Sequence, residues 1–202
     1  MIKNIVFDFG GVLMDWNPRY FYADYFKDLK KMEYFLSEIA TFEWNAEQDR
    51  GRTLQEGTEL LVKQHPDWEK EIRAYYDNWK IMLKGDFPKN VAVLRDLEKT
   101  PYRLYGLTNW SSETFPYALE NYDFFRIFGG KIVVSGEEKC IKPDPKLWHI
   151  LSHRYSVKAE ESVFIDDNEN NIATAEKIGF KTIHATPEID LKSTLEKLGV
   201  KF

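Results

Sequence analysis

Short strand-like runs alternate with helical stretches along this chain, and that alternation constrains its fold more than any other feature. The first run, Lys3-Asn4-Ile5-Val6-Phe7-Asp8, is apolar and partly β-branched, and Gly10 and Gly11 stop it. It reads as a buried parallel strand. Similar runs follow at residues 102–108, Ile132–Val134, Ser162–Asp166 and Lys181–His184. Helical patterns lie between them, at residues 91–97, after Ser111 as an N-cap, at 145–155, and at 168–178, where Gly179 ends the last. Strands alternating with helices imply an α/β fold with a parallel, Rossmann-like sheet.

One segment breaks the alternation. Residues 18–83 lack strand runs and repeat apolar residues at helical spacing, as at Leu54, Leu60 and Leu61, and at Trp68, Ile72, Tyr75, Tyr76 and Trp79. Thr53 with Glu56 fits a capping box. His65-Pro66-Asp67 closes that helix and starts the next, and Gly85 and Pro88 mark the exit. The expected organisation is an α/β core at 1–15 and 86–202, interrupted by an α-helical insertion at 16–85.

Composition narrows the function classes. A net charge of −5 argues against nucleic acid as the main partner. A single cysteine, Cys140, excludes an internal disulfide and fits a reducing compartment. No signal-peptide pattern opens the chain, and no apolar run approaches the roughly 18 residues that span a bilayer. A cytoplasmic protein with no membrane partner is expected. The six Trp, eleven Tyr and fourteen Phe read mainly as core and helix-face packing.

The active sites of such sheets lie at the carboxyl ends of their strands, so the polar residues there matter most. They are Asp8, Thr108-Asn109 and Asp166-Asp167, joined by Lys142 in the loop Cys140-Ile141-Lys142-Pro143-Asp144-Pro145. Each taken singly reads as a cap or a turn residue. Taken together, three carboxylates repel one another and call for a hard cation, which suits Mg²⁺. A lysine and a strand-end hydroxyl beside that cation would bind a phosphoryl group, and aspartate is a competent nucleophile toward phosphorus.

These motifs resemble those of the haloacid dehalogenase-like hydrolase superfamily. They run in the family's order, as Val6-Phe7-Asp8-Phe9-Gly10-Gly11-Val12-Leu13, Leu107-Thr108-Asn109, Lys142-Pro143-Asp144, and Phe164-Ile165-Asp166-Asp167-Asn168 with Asn171. The insertion resembles the family's helical cap. Asn109-Trp110-Ser111 and Asp166-Asp167-Asn168 are similar to those of bacterial phosphatases akin to glucose-1-phosphate phosphatase. The resemblance implies a Mg²⁺-dependent phosphatase for a small phosphorylated metabolite, possessing no nucleic-acid partner and acting as a monomer or homodimer. It implies Asp8 as nucleophile and metal ligand, Asp167 as the direct second carboxylate, and Asp166 as a water-mediated ligand or a positioner. Thr108 and Asn109 would hold the phosphate, and Lys142 would bridge it to Asp8.

One departure stands out. Family phosphatases carry a second Asp two residues after the nucleophile, which protonates the leaving group and then activates water. Here Gly10 holds that position. Its carbonyl can still ligate the metal, but general acid–base catalysis, worth about 10²–10⁴-fold, is missing. A better leaving group needs less protonation, which favours anomeric sugar phosphates, and Asp15 is one residue that could substitute.

Two alternatives stay open: a 2-haloacid dehalogenase, with the same nucleophile and no metal, and a degenerate domain that binds a phospho-ligand or partner protein without turnover. A signalling receiver domain would place its acidic pair after the first strand, the reverse of the order here. No nucleotide-binding glycine motif occurs. His65, His149, His153 and His184 form no convincing ligand set, and Cys140 reads as a packing residue. Substrate-reading residues are expected on the insertion and beside the phosphate site, with Trp16, Trp44, Asp49, Arg50 and Trp110 as candidates.

Overall fold

The computed structural model describes residues 1–202. In chain order its strands are β1 (Asn4–Phe7), β2 (Met14–Trp16), β3 (Leu83–Asp86), β4 (Arg103–Thr108), β5 (Ile132–Val134), β6 (Ser162–Asp166) and β7 (Lys181–His184). Its helices are α1 (Arg19–Phe26), α2 (Leu29–Tyr34), α3 (Phe42–Asp49), α4 (Leu54–Gln64), α5 (Glu69–Asp77), α6 (Trp79–Met82), α7 (Pro88–Glu98), α8 (Phe115–Asn121), α9 (Ser135–Glu138), α10 (Lys146–Tyr155), α11 (Glu169–Ile178) and α12 (Leu191–Lys197). One π-turn, Phe35–Ile39, continues α2.

Five strands form a parallel sheet in the order β5-β4-β1-β6-β7. β1 is central, with Phe7 opposite Gly106 on one side and Ile165 on the other. Its alternation explains its burial: Ile5 and Phe7 face one apolar cluster, Val6 the other. The second cluster, with Tyr105, Leu107, Trp148 and Phe164, holds α10 and α11 against the sheet. The first continues without a break from Phe7, Phe9 and Phe128 through Leu13 and Met82 to Tyr22, Phe35 and Tyr75 among the inserted helices. Gly106 has a steric reason to lack a side chain: a Cβ there would lie 2.3 Å from the Phe9 ring.

The five sheet strands lie where the sequence places them. The expected capping box is present, with Thr53 Oγ1 accepting from the Glu56 N–H and Glu56 Oε2 from the Thr53 N–H. One expectation is corrected. Ser111 does not open the next helix; its carbonyl accepts from the Thr114 and Phe115 N–H groups in a turn, and α8 starts at Phe115. At the entry to and exit from the helical stretch lie two short strands that the sequence pattern does not mark. β2 and β3 pair antiparallel, Met14 opposite Asp86 and Trp16 opposite Leu83, so both crossings run side by side.

Candidate active site

Asp8 extends β1 by one residue, its N–H donating to the Ile165 carbonyl at 2.9 Å. Its Oδ1 accepts from the Phe9 N–H at 2.7 Å, and its Oδ2 lies 2.9 Å from Lys142 Nζ. Lys142 Nζ also donates to Asp166 Oδ2 at 2.6 Å and to the Leu107 carbonyl at 2.9 Å. All three ammonium donors are therefore used, and the side chain is wholly buried, lying over the Phe164 ring.

The backbone of Lys142 is held from the far side by Asn109. Asn109 Nδ2 donates to the Lys142 carbonyl at 3.0 Å, and Oδ1 accepts from the Lys142 N–H at 2.8 Å. Both ends of the amide thus grip the lysine loop instead of pointing into open space. Asp166 is fully buried and accepts from Lys142, from the Asn168 N–H at 2.9 Å, and from Asn171 Nδ2 at 3.0 and 3.1 Å. Asp167 faces the cavity, and it can do so because residue 11 is glycine. A Cβ on Gly11, whose φ is +70°, would fall 2.1 Å from Asp167 Oδ2.

One carboxylate oxygen from each of Asp8, Asp166 and Asp167 lies within 4.8 Å of the others. Burial pushes the Asp8 carboxyl up to about 8, with Asp166 and Asp167 adding repulsion and Lys142 opposing. Asp167 is raised by burial and then by Asp166. Burial pulls the Lys142 ammonium down, but Asp166 and Asp8 outweigh it and hold it above the ordinary lysine value. Three carboxylates therefore share one ammonium, and the remaining negative charge is unbalanced. A divalent cation bound by oxygen ligands fits this donor set. Beside it, Thr108 Oγ1 is buried with no hydrogen-bond partner, an arrangement that suits an incoming anion.

A cavity of about 550 Å³ opens over this cluster. Asp8, Gly10, Asn109, Lys142 and Asp167 line its floor, while Phe42, Asn45, Tyr76 and Trp79 from the inserted helices form a facing wall. Of the residues proposed to read a substrate, Trp16, Asp49 and Trp110 line it and Trp44 and Arg50 do not. Trp44 packs on Tyr75 and Tyr76, and exposed Arg50 pairs with Glu47. Cys140 is buried in the second apolar cluster and takes no part. None of the four histidines lines the cavity; His184 lies 2.8 Å from the Asp167 carbonyl. Sequence reasoning missed Gly11 and the wall residues. The glycine left a signal, the Gly-Gly pair, that reads only as a strand stop; the wall residues look like ordinary helix positions.

The model of the haloacid dehalogenase-like hydrolases matches residues 2–179. The chain belongs to that family. This haloacid dehalogenase-like hydrolase is 27% identical over 197 residues to the sesquiterpene phosphatase astK of Aspergillus oryzae, covering 97% of this chain and 96% of that one. It is also 27% identical over 199 residues to the drimenol cyclase drtB of Aspergillus calidoustus. That match takes in 96% of this chain and only 36% of the cyclase, so the chain spans about a third of that relative. Among solved structures, a haloacid dehalogenase family enzyme of Bacteroides thetaiotaomicron, in complex with magnesium and inorganic phosphate, has the same fold. Its TM-score is 0.71 at 22% identity, over 96% of this chain and 99% of that one. No helix of the present hydrolase is long and apolar enough to cross a membrane.

Proposed function

We propose that the protein is a magnesium-dependent phosphatase that hydrolyses a small phosphate monoester through an aspartyl-phosphate on Asp8. The observation that carries this reading is the meeting of Asp8, Asp166 and Asp167 within 4.8 Å, beside a buried Lys142 and an unpartnered Thr108 hydroxyl. The names of the relatives support it, one being a phosphatase and another binding magnesium and phosphate. A dehalogenase working without metal would have no use for so many carboxylates around one lysine.

Mg²⁺ would be held by the Asp8 and Asp167 carboxylates and the Gly10 carbonyl; when bound, it offsets their charge and polarises a phosphoryl oxygen. The Phe9 N–H orients the Asp8 carboxylate for attack on phosphorus. Lys142, tied to Asp8, neutralises the charge that gathers on the phosphoryl group. Thr108 donates its free hydroxyl to a phosphoryl oxygen. Asn109 acts through Lys142, whose loop it clamps, and Asp166 positions the lysine from the other side.

Residues 16–85 serve as a cap on the core formed by 1–15 and 86–202, closing the cavity against water. Lys142 is the one cation in the lining, which leaves no partner for a second anionic group on the substrate. Trp16, Trp79 and Trp110 offer faces for stacking, and Asn45 and Asp49 offer polar contacts. These fit a neutral leaving group, a sugar first. Cys140, buried as a free thiol, suits a reducing cytoplasmic setting. The test is a screen of anomeric sugar, alkyl and prenyl phosphates with Mg²⁺ and with chelator. Turnover should vanish on chelation and fall to background in Asp8→Asn; turnover that persists in either case refutes the proposal.

A further inference from the structure

We infer that Asp49, on the inserted helices, performs the proton transfers that Gly10 cannot. The inference rests on the phosphatase reading above. Its starting point is an opening in the cavity floor. Gly10 lines the cavity, and a Cβ built there meets nothing within 4 Å, so the space of the absent side chain is unfilled. The cavity has three carboxylate-bearing residues in its lining, Asp8, Asp49 and Asp167. Two belong to the charged cluster on the floor, and Asp49 is the third.

Its position is set by the sheet's own loops. Asp49 is the last residue of α3, and its carbonyl accepts from Ser135 Oγ just beyond β5. Two residues on, Gly51 presses so closely on the Gly136 carbonyl that a Cβ would lie 2.8 Å away. The carboxyl is near the backbone N–H of Ser111, three residues past Thr108, and Asn45 Nδ2 lies 3.3 Å from its Oδ2. The end of α3 is thus fastened beside the strand end that would bind the phosphate.

A purely structural carboxylate would be better served elsewhere. The C-terminal turn of a helix disfavours an anion. Asp49 makes no salt bridge: Arg50 pairs with Glu47, Arg52 bonds Gln48 and the Trp44 carbonyl, and Lys142 is taken by Asp8 and Asp166. Tyr76 on α5 shares the cavity lining with it and Tyr75 packs beside Tyr76, Glu113 caps the Leu54 N–H nearby, and the Lys139 stem lies against Gly51. Burial raises its carboxyl to about 7, with the Ser111 N–H opposing. A group near neutrality can serve as acid and then as base.

The steps balance. Asp8 attacks phosphorus, the bond to the leaving oxygen breaks, and that oxygen takes the Asp49 proton and departs as an alcohol. Water then attacks the aspartyl-phosphate and gives its proton to Asp49. The bond from phosphorus to Asp8 breaks, inorganic phosphate leaves, and both aspartates return to their starting states.

The test uses the full chain with Mg²⁺ and two probes, p-nitrophenyl phosphate, whose leaving group needs no proton, and phenyl phosphate, whose leaving group does. In Asp49→Asn, kcat/KM for phenyl phosphate should fall about 10²-fold and that for p-nitrophenyl phosphate by less than about fivefold. A burst of p-nitrophenol should precede slow turnover, because the aspartyl-phosphate accumulates without its base. In the unaltered enzyme, kcat/KM for phenyl phosphate should drop as pH rises through Asp49's titration, and the variant should lose that limb. Adding Gly10→Asp to the variant should restore phenyl phosphate turnover, which a merely structural role would not allow. Equal losses on both probes, no loss on phenyl phosphate, or no burst overturns the assignment alone. If the unaltered enzyme turns over neither probe, the phosphatase reading falls and takes this inference with it.

Discussion

Replacing Lys142 by Met keeps much of the side chain's volume and removes the one positive charge that Asp8 and Asp166 share. The lysine side chain is wholly buried, with carboxylate oxygens at 2.9 and 2.6 Å. Breaking a buried ion pair by removing one partner costs about 3–5 kcal/mol, because the other charge is left uncompensated. For a chain of this size each kcal/mol shifts Tm by about 2–4 °C, so a fall of roughly 6–20 °C is expected without metal. The loss should also depend on pH. Asp8 already sits at about 8 in the fold, and losing the lysine moves it further up. A carboxyl with a raised folded pKa destabilises the fold as pH rises above its unfolded value, since the unfolded chain then ionises more readily. The deficit of the variant should therefore be larger at pH 8 than at pH 5, where Asp8 escapes by keeping its proton. Thermal unfolding followed by circular dichroism, in chelator at both pH values, measures it. A loss below about 1 kcal/mol at pH 8, or an equal loss at both, would refute the claim that Lys142 is the cluster's electrostatic keystone.

Other expectations follow from the same geometry. Mg²⁺ should raise Tm more at pH 8 than at pH 5, because binding competes with protons on Asp8 and Asp167, both raised in the fold; equal shifts would place the ion elsewhere. Gly11→Ala should weaken Mg²⁺ binding, measured by calorimetry, since its Cβ collides with Asp167 Oδ2, and should cost about 1–2 kcal/mol in backbone strain at φ +70°. Thr108→Val keeps the shape and deletes a hydroxyl with no internal partner. Its Tm should hold or rise, while inhibition by inorganic phosphate weakens about 10-fold or more, as expected for a lost hydrogen bond to a charged group.

How much of this was readable in advance depends on the range of the interactions involved. β1, β4 and β6 are buried on both faces, so their apolar runs stand out, and a polar residue at each run's end marks the site without any knowledge of the fold. The capping box at Thr53 and Glu56 is equally local. Asn109 is different. The family resemblance places it at the phosphate, but no local pattern announces that its side-chain amide grips the backbone of Lys142, 33 positions away in sequence. The paired strands β2 and β3 escaped notice because Met14-Asp15-Trp16 and Leu83-Lys84-Gly85-Asp86 carry no β-branched residue. The Ser111 turn mimicked a cap, since a serine hydroxyl bonds a nearby N–H in either setting; here it accepts from Glu113. Asp49 could be singled out by residue type, and only the packing of α3 against Ser135 and Gly136 shows what it faces.

The β2–β3 pair has a consequence for how such chains can diverge. Because Trp16 sits opposite Leu83, the stretch between them begins and ends at one doorway. The sheet meets the same two anchor points whatever lies beyond them. Loop-closure entropy grows only logarithmically, so doubling the inserted length would cost about 0.6 kcal/mol. Lineages can thus lengthen, shorten or exchange what hangs from that doorway while the strand tips beneath stay in place.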